Sequence, residues 1–267
     1  MAIKLFVTDL DGTLLNRKHK VSEGNKVAVR KATLAGTTVT IATGRMYPSA
    51  LPYAKQLEVD VPIITYNGAV IKSVSGEVLF ANYLDAKVAH NVLKFCKQQN
   101  WYIQVYHDDV LYFAEHDEKA QAYEYAAGIT GVAVGDELMD INERVPKMLV
   151  IVDDPNKTDE FVGMLRNEFK NQIFATKSNP DYIEIVHPSV NKAAALEVLM
   201  EKLNLGKDEV LAIGDSNNDI PMLKYAGISV AMGNANDSIK NICADVTKDC
   251  DEDGVAAAIE RYVLQNK

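Results

Sequence analysis

Short apolar runs that stop at acidic, hydroxyl or amide residues recur along this chain, and they predict its fold. Ile3, Leu5, Phe6 and Val7 form the first run, which ends at Asp9 and a glycine-containing turn, as a buried strand would. Ser22 then opens a helical stretch through Val27, Val29 and Leu34 that Gly36 stops. Residues 38–42 (TVTIA), rich in β-branched side chains, predict a second strand, ending at Thr43-Gly44-Arg45. After another helical stretch, PIITY predicts a third strand, ending at Asn67-Gly68. Strands alternating with crossover helices imply a parallel sheet, whose ligands sit beyond the carboxyl ends of the strands.

The pattern changes after about Leu84. Asp85 caps a helix carrying Val88, Val92, Leu93 and Cys96, and two aromatic-rich strands follow, around WYIQVY and VLYFA. A helix near 117–127, a strand KMLVIVD, a helix near 157–169 and strands near QIFAT and YIEIV complete this block. Paired strands between helices predict an α+β unit with a largely antiparallel sheet. The first pattern returns with helix AAALEVLMEKL, strand EVLAI ending at Gly214-Asp215, a helix from about Asn218, strand GISVA, and helices near 236–242 and 253–264. The expected architecture is an α/β core made of residues 1–83 and 188–267, with an α+β domain, residues 84–187, inserted in it.

Composition narrows the partners. Hydrophobic residues make up 48% of the 267 residues, enough for a sizeable core, and the formal net charge is −9. An acidic chain repels nucleic acid and anionic membranes, so neither is expected as a partner. The odd count of three cysteines, Cys96, Cys243 and Cys250, none at metal-binding spacing, suits reduced thiols in the cytoplasm. The start MAIKLFVTDL lacks the long apolar run of a signal peptide, and no apolar run is long enough for a membrane span.

Four polar clusters stand at strand ends or helix starts. In Asp9-Leu10-Asp11-Gly12-Thr13, two carboxylates at the end of a buried strand need a cation or hydrogen-bond donors to offset their burial. The same string would also serve as an ordinary Asp-rich turn or as a nucleotide-sugar transferase metal site. Thr43-Gly44-Arg45 offers a hydroxyl and backbone N–H groups suited to a phosphate oxygen, or a plain helix cap. Lys192 begins a helix, where the dipole disfavours a cation, so it points either to an anionic partner or to solvent. Gly214-Asp215-Ser216-Asn217-Asn218-Asp219 again ends a strand in carboxylates, or is an Asx-rich turn. The esterase that a Gly-Asp-Ser string also suggests lacks histidine context here.

In this order the four clusters resemble the haloacid dehalogenase superfamily: DxDGT[LI] at 9–14, a strand-terminal Thr43, Lys192, and GDxxND at 214–219. The position of the insertion is similar to that of the Cof-type sugar-phosphatase branch. One departure is Ala193, where a glycine often follows the motif lysine. The resemblance implies an Mg2+-dependent phosphatase for small phosphate monoesters, working through a phosphoryl-aspartate. In it Asp9 is the nucleophile and Asp11 the general acid and base. Asp9, the Asp11 carbonyl and Asp215 hold the metal. Thr43, Lys192, Asn218 and the backbone at Leu10 and Gly44 hold the phosphoryl group, and Asp219 orients Lys192. Arg45 and Asn67 are candidate substrate contacts. The protein is expected to be a monomer or weak homo-oligomer. A phosphotransferase or mutase, or a non-catalytic sugar-phosphate-binding regulator, stands as the alternative on the same fold.

Overall fold

A computed structural model describes residues 2–58 and 61–265. The first part of the chain contains strands β1 (Leu5–Thr8), β2 (Thr38–Ile41), β3 (Ile63–Thr65), β4 (Val70–Lys72) and β5 (Val78–Ala81), with helices α1 (Glu23–Leu34) and α2 (Tyr47–Gln56). The middle part contains α3 (Ala86–Gln98), β6 (Tyr102–His107), β7 (Val110–Phe113), α4 (Glu118–Ala127), β8 (Val132–Ala133), β9 (Lys147–Ile151), α5 (Thr158–Phe169), β10 (Phe174–Asn179) and β11 (Tyr182–Val186). The last part contains α6 (Lys192–Leu203), β12 (Val210–Gly214), α7 (Ile220–Tyr225), β13 (Ile228–Ala231), α8 (Asp237–Lys240), β14 (Asp245–Val246) and α9 (Gly254–Ile259). Two compact units result: 1–45, 50–80 and 191–267 in one, 46–49 and 81–190 in the other.

The first unit is built on a parallel sheet of order β14-β13-β12-β1-β2. A parallel bridge between Ala42 and Ile64 carries the pattern on to β3. Both β1 and β12 are buried at every residue, as strands covered on two faces must be, which is why they read as apolar runs, with Thr8 at the end of β1 the one polar side chain. The chain leaves β1 toward β2 on one side and returns as β12 on the other. Such a reversal opens a crevice at the carboxyl end of β1. The core beneath it is formed by Leu5, Val7, Ile64, Leu196, Val210 and Ala212 among others.

The helices start where the sequence supplies caps. The Ser22 hydroxyl accepts the Asn25 N–H before α1, the Asp85 carboxylate accepts Lys87 and Val88 N–H before α3, and the Asn191 side chain accepts the Ala194 N–H before α6. Each such cap contributes about 1 kcal/mol.

The hairpin of β4 and β5 was not foreseen. Its strands are only three and four residues long, and β5 is partly exposed, so neither produces a strong apolar run. The available signal was the Ser-Gly turn between VIK and VLF, where Gly76 takes a φ of +100°.

The second unit has a six-stranded sheet of order β10-β11-β9-β6-β7-β8, antiparallel except at the β7–β8 edge. One face packs Ile103, Val105, Met148, Val150, Ile183 and Ile185 into a cluster with residues of α3 and α5. The aromatics Phe95, Trp101 and Phe161 also pack against it, with Trp101 stacked on Phe161 at 4.0 Å. Among the described residues no helix is long and apolar enough to cross a membrane.

Candidate active site

Asp9 is the first residue beyond β1, with only 4% of its surface exposed. Its N–H donates to the Ile213 carbonyl at 3.1 Å, which ties the end of β1 to β12. Lys192, the first residue of α6, is fully buried and donates from Nζ to Asp9 Oδ1 and to Asp219 Oδ1, each at 2.6 Å. Asp219 Oδ2 accepts the N–H groups of Asp215 and Ser216, both at 3.0 Å. Asp219 therefore aims Lys192 and shapes the 214–219 turn with one carboxylate. Gly68 lets the loop after β3 approach the start of α6. Its φ is +106°, and a Cβ there would stand 2.4 Å from the Asn191 carbonyl oxygen.

On the other side of Asp9, Gly12 turns the chain with φ +75°, and a Cβ on it would meet Asp215 at 2.5 Å. The Thr13 hydroxyl donates to Asp215 Oδ1 at 2.8 Å. Asp11 points to the rim, where Arg45 grips both its carboxylate oxygens through Nε and a terminal nitrogen, at 2.7 and 2.6 Å.

Thr43 lies two residues beyond β2 and is buried. Its N–H donates to the Ile64 carbonyl, its hydroxyl accepts the Arg45 N–H at 3.1 Å, and its carbonyl accepts the Asn67 N–H at 3.0 Å. Asn67 sits in left-handed backbone and accepts Asn218 Nδ2 at 3.0 Å. A Cβ on Gly44 would fall 2.9 Å from Asn67 Oδ1, so a side chain there would push the Asn67 amide from its place. Asp9, Thr43, Gly44, Lys192, Asp215, Asn218 and Asp219 thus belong to linked loops at one end of the sheet, and Leu10 and Asp11 follow Asp9 directly.

Electrostatics are dominated by crowded carboxylates. Burial pushes the Asp9 carboxyl well above its ordinary range, against the pull of the Lys192 ammonium, and Asp219, Asp215 and Asp11 add to the rise. Burial also raises Asp215 to about 6, opposed by the Thr13 hydrogen bond and reinforced by Asp219. For Lys192, burial works against the ammonium, but the carboxylates of Asp219 and Asp9 outweigh it and raise its pKa.

Carboxylate oxygens of Asp9, Asp215 and Asp219 lie within 4.8 Å of one another. Both Asp219 oxygens are engaged by Lys192 and backbone N–H groups, whereas Asp9 Oδ2 and Asp215 Oδ2 lie outside the bonds described above. An oxygen-only donor set with surplus negative charge fits a hard divalent cation such as Mg2+. The Asp11 carboxylate is with Arg45 and is not in that cluster.

Two residues with clear roles here were not singled out from the sequence. Thr13 lies inside the first motif, 9–14, but the sequence assigns it no role of its own. Asn234 donates from Nδ2 to the Gly12 carbonyl at 2.8 Å and accepts the Cys250 N–H at 2.9 Å. It follows the carboxyl end of β13 by three residues, so the strand-end rule that marked Asp9 and Asp215 would have found it. A second acidic group, Asp249, Cys250 and Asp251, is occupied by Arg17, whose guanidinium bonds both aspartates.

Comparison with known proteins places this geometry. Residues 6–259 match the family of haloacid dehalogenase-like hydrolases. The 5-amino-6-(5-phospho-D-ribitylamino)uracil phosphatase YcsE of Bacillus subtilis is 34% identical, over 98% of this chain and 96% of that protein. Phosphatase YwpJ of the same organism is 30% identical, over 95% of this chain and 98% of its own length. The crystal structure of TM0651 from Thermotoga maritima superposes with a TM-score of 0.88 at 34% identity, covering 97% of each chain. With the match spanning nearly its whole length, the chain belongs to the haloacid dehalogenase-like hydrolases and is an enzyme of the phosphatase type.

Proposed function

We propose that this enzyme hydrolyses small phosphate monoesters, sugar phosphates or related metabolites, through a phosphoryl-aspartate on Asp9 and with Mg2+ as cofactor. The observation that carries this reading is the buried Asp9 carboxylate, held at one oxygen by Lys192 and flanked by Asp215 at the carboxyl end of β1. A carboxylate so placed is oriented as a nucleophile and shielded from bulk water.

In the first step an Asp9 oxygen bonds to phosphorus while the ester P–O bond breaks, and the departing alkoxide takes a proton from the Asp11 carboxyl. In the second, water attacks phosphorus and gives its proton to Asp11. The Asp9–phosphorus bond breaks, freeing inorganic phosphate and restoring both carboxylates to their starting states. Lys192 and the Thr43 hydroxyl bind phosphoryl oxygens, with the N–H groups of Leu10 and Gly44 and the Asn218 amide beside them. Asp219 keeps Lys192 in place. Asp9, Asp215 and the Asp11 carbonyl would hold Mg2+, which when bound neutralises phosphate charge. That local positive charge is what lets a chain of net charge −9 take a dianion.

The division of labour we propose gives phosphoryl chemistry to residues 1–83 and 188–267 and substrate choice to residues 84–187. Transfer of the phosphoryl group to a second alcohol instead of water would make the same site a phosphotransferase. The relative YcsE is named for a phosphate ester on a ribityl chain, which supports polyol and sugar phosphates as the first class to try. A turnover screen over sugar phosphates, nucleotides and flavin mononucleotide, run with Mg2+ and with excess EDTA, tests this reading. Release of phosphate that EDTA abolishes and Mg2+ restores is expected. Undiminished release after verified metal removal would overturn it.

A further inference from the structure

Arg45 lies beyond β2, in a loop read from sequence as a substrate contact. Its side chain makes a two-point contact with Asp11, Nε to Oδ2 at 2.7 Å and a terminal nitrogen to Oδ1 at 2.6 Å. The contact is fixed from several directions. The Arg45 N–H is bonded to the Thr43 hydroxyl, and its carbonyl accepts the Tyr66 N–H at 2.9 Å. The guanidinium lies over the Tyr53 ring, 5.3 Å from its centroid, and Tyr53 in turn donates to the His19 carbonyl at 3.4 Å. Only 15% of the Arg45 side chain is exposed, against 45% for Asp11. The more buried partner of the pair is therefore the arginine.

We infer that Arg45 is a positioning residue for Asp11, fixing the carboxyl that protonates the leaving group. This rests on the proposed roles of Asp9 and Asp11. Without Arg45 the half-exposed Asp11 side chain keeps only the more distant His19 ring, 3.8 Å from its Oδ1, as a basic neighbour among the described residues and can sample more rotamers, of which only a fraction would reach the ester oxygen. The planar fork of arginine suits this task, because it fixes the carboxyl plane as well as its position.

A residue that aims a general acid has a signature that a phosphate contact lacks. Its removal should harm esters of poor leaving groups, which need the proton, far more than esters of good ones, which do not. The experiment compares kcat/KM for an alkyl phosphate, such as a hexose 6-phosphate, with p-nitrophenyl phosphate in wild type, Arg45→Ala, Arg45→Lys and Asp9→Asn. General acid catalysis is worth on the order of 10²–10⁴-fold, so Arg45→Ala should lower the alkyl-to-nitrophenyl ratio by about 10-fold or more. Arg45→Lys should recover only part of it, and added methylguanidine should raise the alkyl phosphate rate of Arg45→Ala selectively. Equal losses on both esters, or no loss on either, would overturn the inference. Turnover of either ester by pure Asp9→Asn would instead overturn the phosphoryl-aspartate reading on which it rests.

Discussion

Lys192 offers the sharpest test of how this core is held together. Its ammonium is fully buried and bridges two buried carboxylates at 2.6 Å. Lys192→Met keeps most of the side-chain volume but removes the charge. Asp219 retains its bonds from the Asp215 and Ser216 N–H groups, so the penalty falls mainly on Asp9, left buried without its donor and with the opposing pull on its raised pKa removed. Breaking a buried pair from one side costs about 3–5 kcal/mol. For a unit of this size that lowers the melting temperature by roughly 6–20 °C, at about 2–4 °C per kcal/mol. Asp9→Asn combined with Lys192→Met removes both charges and should recover at least half of the loss, because neutral partners carry a much smaller desolvation penalty. The single tryptophan, Trp101, lies in the other unit and is a poor reporter. Hydrogen exchange at the amides of β1 and β12 in metal-free buffer is the better assay. A Lys192→Met protein within 1 kcal/mol of wild type, or a double variant no more stable than the single, would refute this account of the charge cluster.

Asp215 should show the opposite sign. Its carboxyl titrates near 6 in the folded chain against an ordinary 3.8, so the folded state binds the extra proton and stability falls as pH rises between those values. Asp215→Asn should therefore stabilise the metal-free protein at pH 7.5 by about 1–3 kcal/mol, allowing for partial exposure, while abolishing Mg2+-dependent activity. Denaturant unfolding with EDTA checks it, and a destabilised variant would contradict it. Replacing residues 84–187 with a short linker should cut kcat/KM for sugar phosphates much more than for acetyl phosphate, because remote binding energy is lost. An unchanged ratio would remove the inserted segment from substrate choice.

Much of this was legible in the sequence, for a physical reason. Parallel strands buried on both faces are largely apolar, broken here by threonines such as Thr8 and Thr40, so a cluster of polar residues just after each strand marks the end where ligands bind. Asp9, Thr43 and Asp215 were all found that way, and Lys192 by being a cation where a helix start disfavours one. What stayed hidden depends on tertiary contacts. Nothing local ties Arg45 to Asp11, Thr13 to Asp215, or Asn234 to Gly12, since each pair is separated by 34 residues or more. The left-handed backbone of Tyr66 and Asn67 is equally invisible, because neither residue requires that conformation by itself. The β4–β5 hairpin was missed because its strands are too short for periodicity to rise above chance.

The central claim is that Asp9 carries the phosphoryl group. The direct measurement is acid quench of a single turnover, followed by reduction of the acyl phosphate with tritiated borohydride, which expels the phosphate and turns the phosphorylated aspartate into tritium-labelled homoserine, and then peptide mapping. Label trapped at Asp9 in the wild type, and absent from an Asp9→Asn protein that folds but has lost turnover by several orders of magnitude, is the predicted result. Substrate hydrolysed at full rate with no label at Asp9, or label at another residue, would contradict it.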